Sequence, residues 1–319
     1  MWIFAGPTIF SLNAGKFQGR MIMSAILVLI CILVLIPTWA SLATYSFFWC
    51  ENAWRARLAD HNSKLRSMVL SGIITSIGSV FLIMVLHPLG MIGRLWRPGS
   101  ISAGQPIIIL THGLYHNASA WLLFRRHLRK AGFKNIFVMS YGSFFTSFER
   151  TFKKFEDFIA DVRRAAPNQP VYLIGHSLGG LFSRVYAERA RGPAIPAAVI
   201  TLGSPHQGSK IAAFGLGNLA SSLIYRGQLF AELEAGPARF PCKGVAVISP
   251  VDNMVLPSEA LRVPYPGWVY IETDPLSHTA MLYSKSTAKK VVEVLREEMG
   301  RQGSWTRGEA QRRGAVNAR

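Results

Sequence analysis

Val171-Tyr172-Leu173-Ile174-Gly175-His176-Ser177-Leu178-Gly179-Gly180 is the stretch around which the chain is organised. The apolar run bounded by Pro170 and Gly175 has the length and composition of a buried parallel strand. It breaks at glycine, presents a single serine, and resumes with helical character from Leu178 to Ala190. Glycines two residues to either side of Ser177 suit a strained strand-to-helix turn, where neighbouring backbone leaves almost no room for side chains. The reading places the Ser177 hydroxyl at the end of a sheet, with Gly175, His176 and Gly179 shaping the turn.

The pattern extends outward in both directions. Apolar runs fall at 106–110, 135–140, 171–174, 197–202, 244–248 and 268–271. Helical stretches lie between them at Ala118–Ala131 and Ser147–Ala166, the second with Phe152, Phe155, Phe158, Ile159 and Val162 at helical spacing. Ser284–Met299 closes the series, with Val291, Val292, Val294 and Leu295 as its inner face. This alternation predicts an α/β domain over 106–299, a mostly parallel central sheet flanked by helices. The aromatic and aliphatic stripes are its core.

Gly175-x-Ser177-x-Gly179 resembles the nucleophile elbow of lipases and esterases of the α/β-hydrolase fold, and further segments carry the same likeness. A serine hydroxyl is a poor nucleophile until a histidine takes its proton, and that histidine needs a carboxylate to fix its tautomer. In this family the chain order is serine, acid, histidine. Ser249-Pro250-Val251-Asp252 follows the second strand past the elbow, and the loop through Pro257 is similar to the family's acid loop. Pro275-Leu276-Ser277-His278 carries the only histidine after His206, just before the last helix. The resemblance implies Ser177, Asp252 and His278 as catalytic residues. Asp274 competes as the acid, but choosing it leaves Asp252 unexplained.

Thr111-His112-Gly113-Leu114 resembles the segment that shapes the family's oxyanion hole. The implied donors are the backbone N–H groups of Leu114 and Leu178, with His112, Gly113 and His176 as shaping residues rather than second bases. Gly203-Ser204-Pro205-His206 is similar to a stretch that lines the site edge in bacterial lipases and related deacylases. His206 precedes the acid and breaks the chain order. Residues 209–240 stand where the family places a cap or lid; a surface helix packed on the sheet is the alternative. Asn117-Ala118-Ser119 fits a glycosylation pattern, and equally places Asn117 as a helix cap.

The resemblance implies hydrolysis of carboxylic esters, above all lipid or acyl-glycerol esters, through an acyl-enzyme and with no cofactor. A thioesterase or lipid acyltransferase uses the same parts, since the fold does not choose the leaving group. A membrane scaffold without turnover is the alternative outside enzymes. No metal site is expected: the 8 histidines are scattered and no carboxylates stand at ligand spacing.

Composition adds a membrane. Apolar residues make up 50% of the 319 and charged residues only 16%. No charge falls between Arg20 and Glu51, nor between Arg66 and Arg94, and each stretch exceeds the roughly 20 residues needed to cross a bilayer as a helix. Two transmembrane helices are expected within 21–93, after an N-terminal flank (1–20), with a short charged loop at 51–66 and a linker at 94–105. A signal peptide ending near Ala40 is the competing reading of the first stretch, though the apolar run continues past it. The basic loop residues Arg55, Arg57, Lys64 and Arg66 favour a cytoplasmic loop, which places the domain on the periplasmic or external side of a bacterial inner membrane. A net charge of +18, from 35 Lys and Arg against 17 Asp and Glu, suits anionic lipid surfaces. Nucleic acid is not an expected partner, as no zinc spacing, compact basic helix or aromatic RNA-binding motif is present. The 3 cysteines form no disulfide framework. Residues 300–319 read as a basic, disordered tail. Oligomeric state leaves no trace in the sequence.

Overall fold

The computed structural model describes residues 9–54, 62–97, 99–234 and 240–301. Arg55 and Arg57 of the expected loop, Pro98 of the expected linker, 235–239 of the expected lid and the tail from 302 onward lie outside the described residues.

Two long helices come first, α1 (Ile9–Trp54) and α2 (Asn62–Gly90), followed by a single turn, α3 (Gly93–Trp96). The chain then runs β1 (Ile107–Thr111), α4 (Leu122–Lys130), β2 (Asn135–Met139), α5 (Phe148–Ala165), β3 (Val171–His176), α6 (Leu178–Arg189) and β4 (Ala198–Leu202). Two short helices follow, α7 (Asn218–Ser221) and α8 (Gln228–Glu234), and then β5 (Lys243–Ile248), β6 (Trp268–Glu272) and α9 (Lys285–Arg301). Each expected apolar run is a strand. All six are parallel, in the order β2-β1-β3-β4-β5-β6.

Alternation along the strands builds a core on each face of the sheet. Ile107, Ile109 and Leu173 pack with Phe152 and Phe155 of α5 and Phe182 of α6. Ile108, Leu110 and Ile174 pack with Phe124 and Leu128 of α4 and Val291 and Leu295 of α9. Each such aliphatic side chain taken fully from water contributes about 1.5–3 kcal/mol. Ser147 caps α5 by accepting the Arg150 N–H at 3.2 Å, which fixes where that helix begins.

Strand order also places the site. From β1 the chain moves outward to β2, then returns past β1 to β3. Loops leaving the carboxyl ends of β1 and β3 therefore diverge and open a crevice between them. His112 and Gly113 sit in one loop and Ser177 in the other.

α1 and α2 pack antiparallel. Ser41 Oγ donates to Ser76 Oγ at 2.8 Å, and the Tyr45 ring occupies the space where Gly72 lacks a side chain. Arg20–Asn52 and Leu65–Gly90 are each long and apolar enough to cross a membrane. Residues 94–105 do not hold the pair apart from the sheet domain. α2 lies across the loops at the carboxyl ends of the strands. Its bonds run from Ser71, which donates to Pro275 O at 2.9 Å, to His87, whose carbonyl accepts from Asn117 Nδ2 at 2.9 Å. That is about 24 Å of helix at 1.5 Å per residue. The other face of α2 leaves Leu70, Ile74, Phe81 and Val85 exposed.

Candidate active site

Ser177 forms the turn between β3 and α6 with φ 53° and ψ −123°. For a residue with a Cβ this left-handed conformation costs about 1–3 kcal/mol. Close packing holds it there. A Cβ on Gly175 would lie 2.3 Å from the Gly179 backbone, and one on Gly179 would lie 2.2 Å from the Thr111 carbonyl oxygen. The glycines are required by the approach of β1 and α6 around the turn rather than by their own backbone angles. Ser177 N–H donates to Leu202 O at 2.9 Å, tying the turn to β4.

Asp252 and His278 come from loops after β5 and β6, and both are buried. His278 Nδ1 lies 2.8 Å from Asp252 Oδ2. The other carboxylate oxygen, Oδ1, accepts the N–H groups of Met254 at 2.9 Å and Val255 at 3.0 Å. A carboxylate so engaged only accepts, so Nδ1 carries the imidazole proton and Nε2 presents a lone pair. Asp274, the competing acid, is exposed. Ser177 and His278 line one cavity of about 430 Å³, within the size range of small-molecule sites. Among the described residues, neither Ser177 Oγ nor His278 Nε2 has a hydrogen-bond partner, each other included.

Leu114 and Leu178 flank the serine from the β1 loop and the first turn of α6. Neither backbone N–H has an acceptor among the described residues. Helix N-termini carry such free donors and a partial positive charge. A Cβ on Gly113 would lie 2.8 Å from Ser177 Cβ, so only glycine lets the β1 loop pass this close.

The remaining histidines divide by their partners. His112 Nε2 accepts the Tyr141 N–H at 3.1 Å, so Nδ1 is protonated and donates to Gly113 O at 2.8 Å. The ring stacks on Tyr141 at 4.2 Å. Burial pulls its pKa down to about 4, and it stays neutral. His176 Nε2 donates to the backbone carbonyl of His278 at 3.1 Å, and burial likewise holds it well below the ordinary histidine value. Both rings brace loops. His206 is buried, 3.1 Å from Thr201 Oγ1 and packed on Trp268; Pro205 and Ser209, not His206, reach the cavity. Asn117 caps the turn at Ala118–Trp121 by accepting the Ser119 N–H at 3.0 Å.

Residues 209–234 split between the two readings offered for them. Ile211, Ala212 and Phe214 border the cavity, Leu219, Phe230 and Leu233 are buried in the core, and Leu223 does both. The cavity's other wall comes from α1 and α2, through Ala40, Thr44, Ser76, Val80 and Ile83. Sequence reasoning missed this wall, and also Asn253, which accepts the His278 N–H on Oδ1 at 3.1 Å and donates to Thr44 Oγ1 at 2.7 Å. A usable signal existed. Ser71, Thr75 and Ser79 recur every fourth residue in the mostly apolar stretch 68–86 of α2, marking one face as polar. Among the described residues no group of three or more His, Cys, Asp or Glu could hold a metal ion.

The family profile described as alpha/beta hydrolase fold matches residues 106–223. The mature-form crystal structure of Bacillus licheniformis lipase BlEst2 superposes with a TM-score of 0.51 at 16% identity, covering 64% of this chain and 96% of that one. A Listeria innocua gene product gives 0.43 at 16% identity over 59% and 92% of the two chains. Legionella pneumophila phospholipase PlaB gives 0.40 at 17% over 46% and 38%. No curated protein sequence matches the chain. Profile match and strand order agree: this is an α/β-hydrolase-fold protein.

Proposed function

We propose that the chain is a membrane-associated serine hydrolase of carboxylic esters, with lipid esters as its substrate class. The observation that carries this is the buried 2.8 Å pair of His278 Nδ1 and Asp252 Oδ2 beside the cavity that also holds Ser177. His278 Nε2 accepts the Ser177 proton as Oγ attacks the acyl carbonyl carbon. Asp252 stabilises the imidazolium that forms. The N–H groups of Leu114 and Leu178 take the oxyanion. His278 then protonates the departing alcohol, and the acyl group remains on Ser177. In the second half, His278 takes a proton from water as its oxygen attacks the acyl carbon, then returns that proton to Ser177 Oγ as the C–Oγ bond breaks and a carboxylic acid leaves.

Membrane association is read from α1, whose side chains from Met21 to Ile36 are almost all exposed and apolar. Exposed apolar surface on this scale marks contact with lipid or another protein. Lipase folds among the solved neighbours and the net charge of +18 favour a lipid surface. The test labels membranes with a fluorescent fluorophosphonate and assays a chromogenic acyl ester, wild type beside Ser177→Ala. Labelling and turnover should appear in the wild type and fall by about 10³-fold or more in the variant. A variant that labels and turns over as the wild type does overturns the assignment.

A further inference from the structure

The wall that α1 and α2 give to the cavity is attached to the very loops that carry the proposed catalytic groups. Tyr45 Oη donates to Val251 O at 2.9 Å, next to Asp252. Thr75 Oγ1 accepts the Ser277 N–H at 3.0 Å, next to His278, and Ser79 Oγ lies 2.7 Å from Thr279 Oγ1 on its other side. Hydroxyls of a helix surrounded by lipid turn back to their own backbone. Thr75 and Ser79 do so too, to Gly72 O at 3.0 Å and Ser76 O at 3.1 Å, and their remaining capacity goes to the sheet domain.

The hydroxyls that border the cavity are themselves engaged. Ser76 Oγ accepts from Ser41, while Thr44 Oγ1 accepts from Asn253 and donates to Ala40 O at 2.9 Å. With Val80 and Ile83 beside them, the helix wall offers hydrocarbon to whatever lies over Ser177. That apolar surface continues outward. Phe214 at the cavity edge is 68% exposed and packs on Phe47 of α1 with ring centroids 5.0 Å apart. Leu216, 71% exposed, is held by the Tyr115 hydroxyl. A hydrocarbon chain moving from the outer face of α1 to Ser177 therefore need not cross water, which favours a long chain over a short one.

We propose that the α1–α2 pair is the acyl-chain wall of the active site, and that it receives the long chain of a bilayer lipid ester directly from the membrane. The inference rests on the serine-hydrolase reading and specifies its substrate. A substrate of this class keeps its head group at the surface and lays one chain against Val80 and Ile83, with the ester carbonyl at Ser177.

The test compares palmitoyl and butyryl p-nitrophenyl esters in detergent-solubilised full-length protein. Ile83→Trp, which fills the wall, should lower the palmitoyl-to-butyryl ratio of kcat/KM by about tenfold or more. Ile74→Trp, on the exposed opposite face of α2, should leave that ratio at the wild-type value. An unchanged ratio in Ile83→Trp, with Ser177 still labelled by fluorophosphonate, overturns the wall and leaves the hydrolase standing. Absence of labelling and turnover in the wild type overturns both. A second measurement needs no substitution: a fluorophosphonate with a photoactivatable long chain is reacted with the wild type in phosphatidylglycerol–phosphatidylethanolamine vesicles. Crosslinks to residues 40–44 or 76–83 support the wall, and crosslinks confined to 211–216 overturn it.

Discussion

The strands of the sheet and the helices α1 and α2 are both nearly continuous apolar sequence, yet they treat that surface in opposite ways. Ile107, Ile108, Ile109 and Leu110 are each 0% exposed, while Met21, Val28 and Leu35 are 60%, 58% and 63% exposed. In the sheet, helices on both faces supply apolar partners for alternating side chains. In the helix pair only one face finds partners: Tyr45, Phe48 and Val69 pack with Val251 and Leu256, and hydroxyls bond to the loops around Asp252 and His278. The contrast teaches that hydropathy alone does not distinguish a buried core from an exposed apolar surface. What distinguishes them here is which side chains have covalently distant partners waiting.

The same substitution in the two regions should break the symmetry most visibly. Gly179→Ala puts a Cβ 2.2 Å from the Thr111 carbonyl, where backbone must move, and should cost about 3 kcal/mol or more of stability. Gly78→Ala in α2 meets nothing within 4 Å and should be neutral or stabilising by up to about 1 kcal/mol. Thermal melts of the two variants in detergent decide it; equal losses would mean that α2 is packed as tightly as the elbow.

Acid should act on the sheet domain next. His112 is neutral in the fold, with a pKa lowered by burial from 6.5 to about 4, so the unfolded chain takes up its proton first as pH falls. Stability is thus complete above about 6.5 and declines between 6.5 and 4, by up to about 1.4 kcal/mol per pH unit from this group. His116, lowered to about 3 by burial and its histidine neighbours, adds in the same direction. A melting temperature that stays flat across that window contradicts the buried neutral rings.

The smallest effect sharpens the junction. Thr44→Val removes the acceptor of the 2.7 Å bond from Asn253, whose other end holds His278. Stability should fall by about 1 kcal/mol, and kcat should drop up to about tenfold while KM for a short ester changes little. A change in stability alone would reduce Thr44 to a packing contact.

Much of the domain was legible. The alternation of apolar runs, each a strand, and the Gly-x-Ser-x-Gly spacing are local features that local physics reads directly. The pairing of Asp252 with His278 was legible only through chain order, since nothing in either loop announces its partner. His206 was harder. Its position after a strand resembles a site-edge residue, but its ring turns into the core against Trp268, a choice made by packing. The helix pair was legible as apolar and long, while its seat over the cavity was not. Thr75 finds its acceptor role 202 residues further along the chain, and no periodicity encodes such a distance.

The sequence by itself determined the α/β architecture, the turn that presents Ser177 and the two apolar helices, because strand alternation, glycine spacing and helix length are set by neighbours along the chain. Tertiary structure alone decided that α1 and α2 form a wall of the cavity beside Ser177. The hydroxyl face of α2 is visible as a stripe, but its partners are backbone groups of loops that exist only once the sheet has ordered its strands and the switch between β1 and β3 has opened the crevice.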